Sequence, residues 1–145
     1  MAVKTKAVLQ NVQSKLQAGG RCTGGVGIGE PTKPPESPYA AVFMGGYEHA
    51  TTTLTGTVER RTIIIRLYVK HFGDPASDAE FLMDDIVTET MEDFLEEFDL
   101  GGNVRNVEPL GVTGTPGYQM IVDTWYRVCD IRVPVLIDDS ATFAP

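Results

Sequence analysis

The sequence predicts an α+β domain: a mostly antiparallel sheet with two helices packed on one face and a projecting β-arm. Three observations carry this. Apolar residues recur at helical spacing near the N-terminus and again over about residues 78–98. Val58–Lys70 alternates apolar and polar residues along its whole length, the pattern of a strand with one face on a core. The last third alternates again and ends in YRVCDIRVPVLI. With 145 residues, one domain is expected across 1–145, large enough to bury a core without disulfide staples.

Taken in order, Val3–Ala18 reads as the first helix, with Val8, Leu9, Val12 and Leu16 on one side. Gly19-Gly20 ends it, because glycine takes the left-handed conformation without a Cβ clash. Residues 19–38 hold six glycines and four prolines and cannot propagate a helix or a central strand. They form an ordered surface loop or a mobile arm, and composition does not separate the two. Tyr39–Met44 is a short apolar run that suits a buried strand. The threonine-rich stretch after it, bracketed by Gly45, Gly46 and Gly56, reads as a β-arm over 45–57.

In Val58–Lys70, Ile63, Ile65, Leu67 and Val69 form an apolar face. Arg60, Thr62, Ile64, Arg66, Tyr68 and Lys70 form a polar and basic one. Gly73-Asp74-Pro75 breaks the strand, and Ser77-Asp78-Ala79-Glu80 has the form of a capping box opening the second helix. Phe81, Leu82, Ile86, Phe94, Leu95 and Phe98 supply that helix's apolar side, and Leu100-Gly101-Gly102 its end. Asn103–Glu108 is a short strand candidate and Gly111–Gly117 a turn. Gln119–Tyr126 and Arg127–Ile137 complete the strands, with Cys129, Ile131, Val133, Val135 and Ile137 facing one way. The tail, 138–145, has little to bury beyond Phe143. Two helices cover one side of such a sheet, so the side carrying Arg60, Arg66, Lys70, Asp130 and Arg132 must meet water or another subunit.

Composition and charge exclude several functions. Twelve Lys and Arg against twenty Asp and Glu give a net charge of −8, the opposite of a nucleic-acid-binding stripe. No apolar run is long enough for a transmembrane helix, and the N-terminal stretch lacks a signal peptide's continuous apolar core. No membrane and no sequence-specific nucleic acid are expected as partners. Gly24–Gly29 resembles a phosphate-cradling loop only in composition, since a helix precedes it and prolines follow. Cys22, Cys129, His49 and His71 do not lie at metal-ligand spacing, so no metal or cofactor is expected. No serine sits in a nucleophile motif, and His49 has no evident orienting partner. The residue chemistry gives no catalytic reading.

What remains is charge segregation. Half of the acidic residues lie between Asp78 and Asp99, and Glu96, Glu97 and Asp99 sit at a helix C-terminus, where the dipole disfavours them. A basic partner would neutralise them. The candidate interface residues are therefore Arg60, Arg66, Lys70 and Arg132 on the sheet, Glu96 and Glu97 on the helix, and His49 on the arm.

This order of elements resembles the tail terminator proteins of long-tailed (siphovirus-type) bacteriophages. The likeness runs from about Val3 to Ile137: an N-terminal helix, a Gly/Pro-rich loop, a strand entering the arm, the strand ERRTIIIRLYVKH, an acidic helix, and a closing pair ending YRVCDIRVPVLI. It rests on layout and texture; the family is non-enzymatic and has no catalytic motif to carry across. The resemblance implies a hexameric ring that caps the tail tube, stops its polymerisation and offers the head-joining surface. Its partners would be further copies of the chain, the tail tube protein and a head–tail connector protein. The alternatives are a neck or head–tail connector component and a small ligand-binding domain or enzyme.

Overall fold

A computed structural model describes residues 5–53, 56–70, 76–96, 106–107 and 112–138. The elements run α1 (Thr5–Gly19), β1 (Gly25–Ile28), β2 (Tyr39–Thr53), β3 (Gly56–Lys70), α2 (Ala76–Glu96), β4 (Asn106–Val107), β5 (Thr113–Ile121) and β6 (Thr124–Asp138). They build a six-stranded sheet in the order β1-β2-β3-β6-β4, with β5 also on β6. Only the β1–β2 pair is parallel. The α+β class, the mostly antiparallel sheet and the two helices on one face are thus present.

Strand parity sorts the two faces as the alternation requires. Ile63, Ile65, Leu67 and Val69 of β3 join Cys129, Ile131, Val133, Val135 and Ile137 of β6 in the main core. Val8, Val12 and Leu16 of α1 and Ala79, Met83, Ile86 and Phe94 of α2 close it from above. Phe81 and Leu82 do not belong to this core: both are exposed. Each turns about 100° per residue away from the Ala79–Met83–Ile86 stripe, so their adjacency to it in sequence carries them to the flanks. Ser77 lies in the first turn of α2, which runs from Ala76.

The other face is not merely polar and wet. Tyr68, Ala41, Ile121, Tyr126 and Val128 form a second buried cluster there, with Ile64 buried close to the same surface. The Gly/Pro-rich stretch covers it. The Tyr126 hydroxyl donates to the Pro35 carbonyl at 2.7 Å, and the Lys70 amide donates to Ser37 Oγ at 3.0 Å. The open question about 19–38 resolves as an ordered cover that contributes edge strand β1. Arg66 sits at its margin, donating to both carboxylate oxygens of Asp130 (2.6 and 3.0 Å) and to Glu30 of the cover. The bidentate, partly buried Arg66–Asp130 pair ties β3 to β6, and the Glu30 bond holds the cover to it.

Burial sets an alkaline limit. It pushes the Cys22 thiol from 9.0 up to about 11 and the Tyr68 hydroxyl from 10.0 up to about 12. The Tyr68 hydroxyl is buried without a hydrogen-bond partner, and the nearby Arg66 charge offsets only part of that penalty. Above pH 9 the unfolded chain loses the Cys22 proton while the folded chain keeps it, so stability falls as pH rises. Thermal melts should therefore show a midpoint dropping steadily from pH 9 to 12. Cys22→Ala should flatten the lower part of that slope and Tyr68→Phe the upper part.

The β-arm is the far end of the β2–β3 hairpin. Its last pairs, Thr51–Val58, Thr52–Thr57 and Thr53–Gly56, reach the limit of β6, whose Asp138 stands opposite Val58. Register shifts at Met44/Gly46 and His49/Thr51 twist this part of β2.

Candidate functional site

The closing hairpin differs most from its sequence-based description. Thr113–Gly117 is strand, not turn, and the chain reverses at Val122-Asp123, between Ile121 and Thr124. A two-residue hairpin normally carries glycine or asparagine where φ is positive. Val122 holds φ +60°, a costly conformation for a β-branched residue. Replacing Val122 with glycine should raise stability by about 1 kcal/mol, read as a shift in denaturation midpoint. A loss of stability there would contradict the strained turn.

One face of the hairpin is buried through Ile121, Tyr126 and Val128. The other is open. By register, Tyr118 stands opposite Arg127 and Met120 opposite Trp125. Tyr118, Met120, Trp125 and Val122 are 57, 46, 49 and 72% exposed, half of the chain's exposed large apolar residues among those described. Monomeric surfaces seldom concentrate apolar groups in this way unless something binds there. From Thr113 to Tyr126 the sole charge is Asp123, although the chain carries −8.

Between this hairpin and α2 lies a groove of about 310 Å³ lined by Glu80, Met83, Asp84, Val87, Met91, Gly114, Pro116, Arg127 and Cys129. Arg127 organises it. Its guanidinium donates to both Glu80 oxygens (2.9 and 3.1 Å) and to the Gly117 carbonyl at 3.0 Å, and it lies 4.6 Å from the Tyr118 ring centroid. Glu80 thus pins α2 to the hairpin. Burial raises the Cys129 thiol pKa, the reverse of what activates a cysteine.

The residues singled out by charge are placed as follows. Arg60 pairs with Glu48 across the hairpin at 2.5 Å, and Arg66 with Asp130 and Glu30. Lys70 is half-buried against the cover. Arg132 is exposed and makes no ion pair among the described residues. His49 stands opposite Glu59 in the β2–β3 ladder. Glu96 closes α2, and Glu97 lies outside the described residues. The helix acids that find cations do so with Arg21 (Glu89 at 2.6 Å, and Asp93) and with Arg127. The structure does not gather the seven candidates into one site.

Among the described residues no three His, Cys, Asp or Glu side chains could hold a metal ion. No described helix is long and apolar enough to cross a membrane. The arrangement is a largely uncharged, exposed apolar face beside an acidic helix. No family model matches the chain, and no curated protein matches it.

Proposed function

We propose that this chain is a non-enzymatic structural component of a bacteriophage tail, acting as the tail terminators do. Copies form a ring, in our reading a hexamer, that caps the tail tube, stops its growth and presents the surface that joins the head. The virion location would be the head-proximal end of the tail, reached by assembly in the host cytoplasm. The observation that carries the reading is the open face of the β5–β6 hairpin, a built surface whose chemistry suits protein docking. The acidic helix beside it, with Asp84 and Asp85 exposed and unpaired among the described residues, suits a basic partner.

The deciding experiment mixes the purified protein with polymerising tail-tube subunits. It follows tube length by electron microscopy and association by co-sedimentation, alongside light-scattering mass with and without magnesium. Halted tubes carrying the protein at one end, and a mass near six protomers alone or on the tube, are expected. Tubes that grow unaltered and leave the protein in the supernatant would sink the reading. Binding to a portal ring in place of the tube would move the chain to the neck.

A further inference from the structure

We infer that the groove between α2 and the closing hairpin receives a basic–apolar segment of a partner protein, one that presents a lysine or arginine side chain beside an apolar residue. The groove's shape follows from residue spacing. Glu80, Asp84, Val87 and Met91 recur at three- and four-residue steps and so line one side of α2, facing Gly114 of β5 and Cys129 of β6. Gly114 keeps the space open. A Cβ there would stand 3.5 Å from Cys129 Sγ, 3.6 Å from Met91 Sδ and 3.8 Å from Val87 Cγ1. The volume of about 310 Å³ lies at the low end of ligand pockets and holds one or two side chains.

Three charged groups border the groove, and two of them cancel. Arg127 donates to both oxygens of Glu80, which leaves Asp84 exposed and without an ion pair among the described residues. α2 carries no Lys or Arg to neutralise it, and Asp85 adds a second carboxylate beside it. An apolar cleft under an uncompensated carboxylate selects its occupant. An anionic segment is repelled. A purely apolar side chain would strip water from Asp84 and return no hydrogen bond. A lysine or arginine lays its alkyl stem on Val87 and Met91 and sets its charged head at Asp84. The thioethers of Met83 and Met91 adapt to either stem.

The groove does not end at Arg127. Alternation along β5 puts Tyr118 and Met120 on the same side as Gly114, opposite Arg127 and Trp125 of β6. The cleft therefore continues into the exposed apolar face of the hairpin, over about 20 Å from Gly114 to Met120. That length suits a peptide segment whose further apolar residues lie on Tyr118, Met120 and Trp125, and exceeds what a small cation would use. The inference rests on the docking reading of this face and adds the partner's chemistry; it does not require the partner to be a tail tube.

Capped synthetic peptides alternating leucine, serine and lysine test it, with twins carrying glutamate or norleucine in place of lysine. The protein is labelled with carbon-13 at its methionine methyls. The lysine peptide should move the Met83 and Met91 signals and leave Met44, on β2, in place. Its affinity should fall with added salt. Asp84→Asn, at an exposed position, should weaken the lysine peptide about tenfold and bring it level with the norleucine twin. Gly114→Ala, whose Cβ makes only ordinary contacts, should weaken the lysine and norleucine peptides alike while the melting midpoint holds. A glutamate or norleucine peptide that binds the wild type as well as the lysine one overturns the inference. So does Asp84→Asn without effect, or methionine signals unmoved by every peptide. A lysine peptide that changes only Trp125 fluorescence overturns the groove and leaves the hairpin face standing as a docking surface. Groove binding by a protein that leaves growing tubes unaltered supports the inference and sinks the tail-terminator reading.

Discussion

Phe94→Ala should lower unfolding free energy by about 3–5 kcal/mol, the largest loss expected from one truncation in this chain. Phe94 is fully buried in the main core and completes the Ala79, Met83, Ile86 stripe of α2. Lys15 of α1 holds its ammonium 5.9 Å from the ring centroid, so the ring also links the two helices. Removing it leaves a cavity between two helices and a sheet, which cannot collapse without moving one of them. A domain of this size has about 5–15 kcal/mol in total, so denaturation midpoints should fall far and early. Phe81→Ala is the control: the same helix and chemistry but 69% exposed, with an expected change of at most about 0.5 kcal/mol. Equal effects from the two would mean that α2 is rotated from the position described.

That pair of phenylalanines shows where sequence reasoning succeeds and stops. Alternation in Val58–Lys70 and Arg127–Ile137 identified the central strands and their core-facing residues, because side-chain period two is a property of any strand with one buried face. In α2 the apolar residues outnumber the stripe that the core accepts. Phe81 therefore reads as core until packing leaves it outside. The closing hairpin was illegible for another reason. Its turn is Val122-Asp123, with neither glycine nor asparagine, while the glycine-rich TGTPG before it imitates a turn and is strand. The exposed apolar face is illegible with it, and the sole tryptophan, Trp125, is the one residue there that draws attention. Arg60 and Arg66 looked available because their carboxylate partners, Glu48, Glu30 and Asp130, lie 12 to 64 residues away in sequence.

Gly24→Ala should cost about 3 kcal/mol, an overpacking penalty at the upper end of its usual range. The stretch after α1 contains glycines of different kinds. Gly20 holds φ +69° in open space, so alanine there meets only the left-handed penalty of about 1 kcal/mol. Gly24 has no such φ. Its constraint is the opposite strand of the cover: an added Cβ would fall inside contact distance of the Glu36 carbonyl and 2.8 Å from the Pro38 carbonyl oxygen. Those are backbone atoms, and Pro38 already accepts the Gly24 amide at 2.8 Å. Side chains rotate away from such a clash; this one separates the two limbs of the cover. With the limbs apart, the parallel pairing of β1 beside Tyr39 and the Tyr126–Pro35 bond both loosen. Hydrogen exchange should therefore quicken in β1 and at the start of β2, while α2 and the Arg127–Glu80 contact hold. Near-ultraviolet circular dichroism should register the freed Tyr68–Tyr126 edge-to-face pair. If Gly24→Ala cost no more than Gly20→Ala, the close approach of the two limbs would be wrong. If it does cost more, these glycines serve a backbone crossing that seals the second face of the sheet, which explains their clustering without an anion.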